Sequence, residues 1–568
     1  MEQGGLTENG FIVKDSYRSE HNGVTHVYLR QLYNGAEVVN ADMNLNLDAD
    51  CNLISVGSSF QPGASLAQPP VAKSSTNLWS YLRNQAGALS QQVNSLTEEP
   101  YSVLTNVPHA QDNKVPVRRH YILNGQNELE EVWDMEIEME ENWLHAHVST
   151  TTGKVVSLID WVADSQYNVY PLGVNDPLEG NRTLLTDPHD KKASPFGWHD
   201  QGNGKKFTDT RGNNVYAQEN LDGMYEWMNK GRPDGGETLK FDFPLDLMSQ
   251  PGDYLDAAVT NLFYINNMVH DLFYQYGFTE KAGNFQENNF ERGGKGNDAV
   301  IANAQDGSGY NNANFATPPD GRHGKMRMYV WNGIDPNRDG DLESGIVIHE
   351  YAHGISTRLT GGPANSGCLG WGEAGGMGEG WGDFFATILR TRPAHNNTMV
   401  FFMGEYANAG EGIRRYPYST SLDVNPSTYK IMDKPGYWGV HAKGEVWAVI
   451  LYEVFWALVD KHGYTEDWFS ASPHHGNTLA LQLVVDGLAL QPCRPSFMDA
   501  RDAIIQADTV LTGGQNKCIL WKAFAKRGLG VDANIRGDTP WGGGVRADSF
   551  KTPSDCGDDV PSPPSDDE

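Results

Sequence analysis

Two histidines stand four residues apart in Ile346-Val-Ile-His-Glu-Tyr-Ala-His-Gly354, and a glutamate directly follows the first. On an α-helix this spacing puts the imidazoles of His349 and His353 on one face, where they can share a divalent metal ion. Glu350 lies too far round the helix to ligate that ion easily, but it can reach a water at an open coordination position. The chemistry this supports is hydrolysis by a metal-activated water with a carboxylate base. Taken alone, the five-residue match leaves an ordinary helix with two surface histidines as the alternative.

A second segment, Met377-Gly-Glu-Gly-Trp-Gly-Asp-Phe-Phe385, supplies the carboxylate that completes such a set. Glu379 is the expected third ligand, with Glu373 as the fallback. Asp383, one helical turn beyond Glu379, is placed to accept the distal N–H of a ligating imidazole and fix its tautomer. The alternative is that both acids are solvated helix charges, which sits poorly with neighbours that are Gly, Met, Trp and Phe. A third histidine in the pattern HExxHxxGxxH is excluded, because Ser356 and Leu359 occupy those places. The expectation is one Zn2+ per chain, held by two histidines and a glutamate.

Helices are predicted over 344–359, 378–390 and 444–460 to carry these residues, with another over 254–276 and a short strand over 326–331. Earlier, residues 24–48 alternate apolar and polar around an Asn34-Gly35 turn, and 77–93 reads as helical. Trp133, Met135, Ile137 and Met139 then alternate with Asp134, Glu136, Glu138 and Glu140, a second sheet segment. A small α+β unit therefore fills roughly the first 160 residues, and the Gly-, Asn-, Asp- and Pro-rich stretch over 167–243 implies irregular β-structure with long loops. The fold class is α+β and multidomain, with a mostly helical C-terminal third.

The chain has 568 residues and a formal net charge of −30, so nucleic acid and anionic membranes would repel it. No apolar run is long enough to span a bilayer as a helix. With 39% hydrophobic residues it is no disordered polymer, but the Pro-, Ser- and Asp-rich stretch over 553–568 reads as a disordered acidic tail. The five cysteines form no CxxC pair, which argues against a cysteine zinc site. The segment Met1-Glu-Gln-Gly-Gly lacks the basic start and apolar core of a signal peptide, so either a leader is missing or the protein is not exported by that route. The sequons at Asn181 and Asn396 are compatible with a secreted glycoprotein.

The segments His349-Glu-Tyr-Ala-His-Gly-Ile-Ser, Glu373-Ala-Gly-Gly-Met-Gly-Glu-Gly-Trp and Val169-Tyr-Pro-Leu-Gly-Val-Asn-Asp-Pro resemble the fungalysin metallopeptidases, secreted fungal relatives of thermolysin. Gly23-Val-Thr-His-Val-Tyr and Val38-Val-Asn-Ala-Asp resemble the family's inhibitory prosegment. The resemblance implies zinc ligands His349, His353 and Glu379, with Glu350 as base. It implies His441, in Gly439-Val-His-Ala-Lys-Gly-Glu, as stabiliser of the tetrahedral intermediate, and Arg414 as ligand of a substrate carbonyl. Asn312 and Ala313 would begin an edge strand that pairs with the peptide substrate.

The implied organisation is a prosegment over 1–166 acting as inhibitor and chaperone, and a β-rich catalytic subdomain over 167–341. A helical zinc-binding subdomain over 342–552 and the tail would follow. The activity implied is that of a secreted, monomeric zinc endopeptidase acting on proteins and peptides, made latent and cut near Asp164 to Tyr167. With Cys51 removed in the prosegment, the expected disulfides are Cys493–Cys518 and Cys368–Cys556. No tyrosine between His353 and Glu379 offers a second oxyanion donor, a departure from thermolysin.

Two readings from other classes remain. A non-catalytic protein with an inhibitor-like N-terminal unit would keep zinc as a structural ion, which usually takes four protein ligands. A zinc exopeptidase would need groups that capture a substrate terminus, and no such signature is present. Asp335-Pro-Asn-Arg-Asp-Gly340 begins like an EF-hand loop, but Ile346 stands where a bidentate glutamate is required, so it reads as a turn. His270-Asp271 reads as a satisfied core pair.

Overall fold

Alternating sequence becomes sheet in the first of two units into which the chain divides, Met1–Ala163 and Asp164–Glu568. The computed structural model describes residues 10–18, 25–47, 50–61, 63–66, 90–93, 100–105, 114–124, 128–138, 143–153, 155–160, 165–537 and 544–562.

In the first unit the strands are β1 (Phe11–Arg18), β2 (Thr25–Tyr33), β3 (Ala36–Leu47), β4 (Leu53–Ser58), β5 (Ser90–Val93) and β6 (Pro100–Thr105). They continue with β7 (Lys114–Leu123), β8 (Leu129–Glu138), β9 (Trp143–Ser149) and β10 (Val155–Asp160). The main path runs β1-β2-β3-β7-β8-β9-β10, with β4 on β3 and the β5–β6 hairpin on β7. Asn34 and Gly35 turn the β2–β3 hairpin at φ 49° and 83°, the left-handed pair that matches strand twist. The helix expected over 77–93 is corrected at its end, because Ser90–Val93 pairs antiparallel with Pro100–Thr105. Cross-strand pairing prevails there over a weak local preference; residues 77–89 lie outside those described.

One face of this sheet is apolar. Val115 and Val117 of β7, Met135 and Ile137 of β8, and Ala146 and Val148 of β9 form a buried cluster. The alternate residues of β8 and β9 point the other way, as the period of a strand requires.

In the second unit the short strands are β11 (Gln166–Val169), β12 (Thr183–Thr186), β13 (Val215–Glu219) and β14 (Lys240–Phe241), among long loops. Then come β15 (Val300–Ala304), β16 (Ala313–Ala316), β17 (Lys325–Met328), β18 (Val330–Trp331) and β19 (Arg338–Asp339). The sheet β13-β15-β17-β16 is parallel except for β16, which pairs antiparallel with β17 at the edge. The EF-like stretch runs from the end of the loop after β18 through β19 to the start of a 3-10 turn at Gly340–Leu342.

The helices are α1 (Leu255–Gln275), α2 (Ser344–Leu359), α3 (Gly372–Leu389), α4 (Val440–His462), α5 (Gly476–Leu490), α6 (Phe497–Thr512) and α7 (Lys517–Lys526). A single hydrophobic cluster extends from Tyr167 in β11 to Leu529 beyond α7, so the β-rich and helical halves share one core. His270 and Asp271 are wholly buried in α1. Asp271 accepts from Ser194, Trp198 and the Asp190 backbone, a satisfied core group.

Two further expectations are corrected here. The disulfides are Cys368–Cys493 and Cys518–Cys556, with Cα atoms 4.8 and 5.0 Å apart. Cys493 and Cys518 flank α6, whose 16 residues span about 24 Å, several times the reach of a disulfide. Within the stretch expected to be a disordered tail, Ser554–Cys556 forms a 3-10 turn, its cysteine is bridged, and the Val560 amide donates to the Phe550 carbonyl, while residues 563–568 lie outside those described. A covalent tie holds a segment whose composition alone would leave it loose.

Candidate active site

α2 contains Ile346-Val-Ile, a β-branched run with modest intrinsic helix preference, and forms because nearly every side chain along it is buried. Its two histidines end up on one face, ring centroids 4.9 Å apart. α3 begins at Gly372, six residues before the expected Gly378, despite glycines that disfavour helix. Close approach accounts for one of them and for a glycine of α4. A Cβ on Gly382 would lie 2.6 Å from His349 Nδ1, and a Cβ on Gly444 of α4 would lie 2.5 Å from the Glu379 Cβ. Without side chains there, α3 can lie against both α2 and α4.

This packing brings three donors together. His349, His353 and Glu379 each offer one ligand atom, all within 4.8 Å of one another. Glu379 Oε2 is 3.2 Å from His349 Nε2 and 3.7 Å from His353 Nε2. On the far side of His349, Nδ1 hydrogen-bonds Asp383 Oδ1 at 2.8 Å. Asp383 is itself gripped by Arg414, through Nε at 2.6 Å and Nη2 at 2.8 Å, and accepts the Tyr418 hydroxyl proton. Glu373, the fallback carboxylate, is committed elsewhere, to Tyr429, Arg546 and the Phe497 amide.

The electrostatics are those of a cation site. Burial would lower the His349 imidazole, but its bonds to Asp383 and Glu379 raise it to about 10. Burial would likewise raise Glu379, yet the His349 bond and the neighbouring imidazoles bring it down to about 2. The pair thus retains a proton that a bound cation would replace. His353 is pushed down to about 4 by burial and by His349, which leaves it in the neutral form that coordinates. Burial, and then the Glu379 charge, raise Glu350 to about 7, partly offset by His349. The Glu350 Oε2 atom is buried without a hydrogen-bond partner. Two imidazoles, one carboxylate and an orphaned carboxylate oxygen beside them fit a hydrolytic divalent metal ion.

His441 lies in the first turn of α4, its side chain 58% exposed and its Nε2 3.3 Å from Glu379 Oε2. Ala313 begins the edge strand β16, and Asn312 is exposed just before it. Phe315 of that strand packs on Tyr351 of α2, ring centroids 6.3 Å apart, so the free edge runs beside the histidine helix. Tyr418 was missed by sequence reasoning: it lies 35 residues beyond Asp383, in a loop without helical or strand periodicity.

Residues 166–533 match the Fungalysin metallopeptidase family, and residues 9–60 match the Fungalysin/Thermolysin Propeptide Motif. The probable extracellular metalloproteinase 5 of Trichophyton verrucosum is 48% identical over 535 residues, covering 92% of this chain and 84% of the relative. The extracellular metalloproteinase MEP of Neosartorya fischeri is 46% identical over 544 residues, with the same coverage. The corresponding mep protein of Aspergillus fumigatus is 46% identical over 541 residues, again covering 92% and 84%. This chain belongs to the fungalysin metallopeptidase family.

Proposed function

We propose that the chain is the precursor of an extracellular zinc endopeptidase in which His349, His353 and Glu379 hold the metal and Glu350 is the general base. The observation that carries this is the buried Glu350 Oε2, which has no hydrogen bond and lies 4.0 Å from His353 Nε2, beside the three converging donors. A zinc ion there would acidify a water and polarise the scissile carbonyl. Glu350 would take a proton from a water at the open position and deliver it to the leaving amine. Asp383 fixes the His349 tautomer through Nδ1, and Arg414 and Tyr418 keep Asp383 ionised and in place.

His441, whose Nε2 lies 3.3 Å from Glu379, offers an N–H to the oxygen that becomes negative in the transition state. Two Arg414 nitrogens are engaged by Asp383, so the guanidinium meets a substrate carbonyl only with its remaining donors. Asn312 and Ala313, at the edge of the sheet, offer backbone groups to an extended peptide. Three ligands rather than four, with a base alongside, favour catalysis over a structural ion. The extracellular names of the relatives support secretion.

The N-terminal unit acts as inhibitor and is removed by cleavage near Asp164. Tyr167 is wholly buried in β11, and the Ser165 amide donates to Asp187 at 2.7 Å, which favours a cut at or before Ser165. Mass spectrometry of fragments from a denatured protein, with and without a zinc chelator, tests the activity. Internal cleavages that vanish with the chelator, and in a metal-loaded Glu350→Gln chain slow by about 10²–10⁴-fold, are expected. Near-normal turnover in that variant would remove Glu350 as base. The N-terminal sequence of the mature enzyme locates the cut.

A further inference from the structure

A second histidine–carboxylate cluster lies in the N-terminal unit, outside the propeptide-motif match. His145 and His147 are two apart on β9 and so share a face, and Asp134 on β8 sits directly across from His147 in the antiparallel register. One ligand atom from each of the three lies within 4.8 Å of the others. His145 Nε2 meets Asp134 Oδ1 at 2.8 Å, and from β7 His120 Nδ1 meets Asp134 Oδ2 at 2.7 Å.

His147 is the unexplained member. Its side chain is 5% exposed, its Nε2 is 4.0 Å from Asp134 Oδ2, and neither ring nitrogen has a hydrogen-bond partner. That distance is too long for a hydrogen bond, and an orphaned buried donor costs about 1–3 kcal/mol. A tetrahedral ion with bonds of about 2.0–2.2 Å would space its ligand atoms by about 3.3 Å, so a shift of about 1 Å would turn the orphan into a ligand. Arg118, across from Asp134 on β7, directs its guanidinium to Glu136 at 3.8 Å.

We infer that Asp134, His145 and His147 form a second metal site, for a divalent transition ion of the zinc class, with His120 holding the carboxylate from the neighbouring strand. Mixed imidazole and carboxylate donors without thiolate suit zinc, and ligating carboxylates are commonly hydrogen-bonded from behind. The ion would tie β8 to β9. The single cysteine of this unit, Cys51, has no intrachain partner there, so no disulfide can do so.

The test uses full-length chains loaded with zinc chloride, desalted, and assayed for zinc by mass spectrometry. A Glu350→Gln chain, which cannot process itself, should hold two zinc ions, and a His353→Ala chain should keep one. Adding His145→Asn and His147→Asn to the His353→Ala chain should leave none, and Asp134→Asn should lower the remaining zinc occupancy. The His353→Ala chain, in which these residues are native, decides the matter even if the multiple variants misfold: loaded with cobalt instead, it should show the visible bands of a tetrahedral ion. A His353→Ala chain that holds neither zinc nor cobalt would leave the cluster a hydrogen-bonded network and overturn the proposal. Two zinc ions retained in that chain would instead count against His353 as a catalytic ligand, and the histidine pair would still account for one of them.

Discussion

The two histidine–carboxylate clusters use the two backbone periods. On α2 the histidines are four apart and the acid comes from a neighbouring helix; on β9 they are two apart and the acid comes from a neighbouring strand. What differs is the surroundings. Beside His349 and His353 stand an unpartnered glutamate oxygen and the half-exposed His441, groups with room to act on something else. Around His145 and His147 the acid is engaged by His120 and His145, and the orphaned atoms belong to the histidine itself. Donor type and spacing can make either place a metal site. A nearby base and access from solvent are what make one of them catalytic.

The harshest test of this contrast removes the acid from the helical cluster. Glu379→Ala should abolish peptidase activity, because two imidazoles alone hold zinc weakly and nothing nearby replaces the carboxylate. Glu373 is bound by Tyr429, Arg546 and Phe497 and cannot swing across without breaking all three bonds. The full-length Glu379→Ala chain should lose one equivalent of zinc and retain the strand-borne equivalent. Stoichiometric zinc at the helical site, seen as surviving activity, would break the assignment.

The helical cluster was legible because its information is local: His349, Glu350 and His353 occupy five residues, and Glu379 and Asp383 lie in one apolar stretch whose charges needed a reason. Ser344–Leu359 was bounded correctly for the same cause, a helix with a continuous apolar pattern. The strand cluster was hidden by its own alternation. In the sequence Asp134 is one more acid in a run that alternates with apolar residues, and only the register with β9 sets it opposite His147. Pairing between distant segments hid the disulfides equally, since Cys368 and Cys493 are 125 residues apart. Tyr418 belongs to the same class.

A smaller effect is expected from Asp383→Asn, which sharpens the role of the outer partner. Asp383 is kept well below the ordinary carboxylate range although burial opposes this, chiefly by the Arg414 charge and bonds and then by His349. The amide keeps the shape but gives up the charge that orients His349 and balances Arg414. Zinc affinity at this site should fall roughly 10–100-fold, measured by competition with a chelator of known affinity. The strand site should be untouched. An unchanged affinity would mean that helix packing alone aims the imidazole.

The smallest expected effect separates packing from helix preference within α3. Replacing glycine by alanine in a helix interior ordinarily stabilises by about 1 kcal/mol. At Gly378 the added Cβ would meet only Leu369, its Cβ at 3.8 Å and its carbonyl oxygen at 4.0 Å, ordinary contacts, so Gly378→Ala should raise the melting temperature slightly and leave zinc affinity alone. At Gly382 the same methyl would come within 2.6 Å of His349 Nδ1, on the ring edge that meets Asp383. Either α3 must retreat from α2 or the imidazole must turn, and overpacking of this kind costs about 1–3 kcal/mol. Much of that cost falls on the ligand geometry, so Gly382→Ala should weaken zinc about tenfold, equivalent to about 1.4 kcal/mol, with little change in melting of the metal-free chain. Equal behaviour of the two alanine variants would show that α2 and α3 have slack between them, and the glycines of α3 would then need another explanation than the closeness of His349.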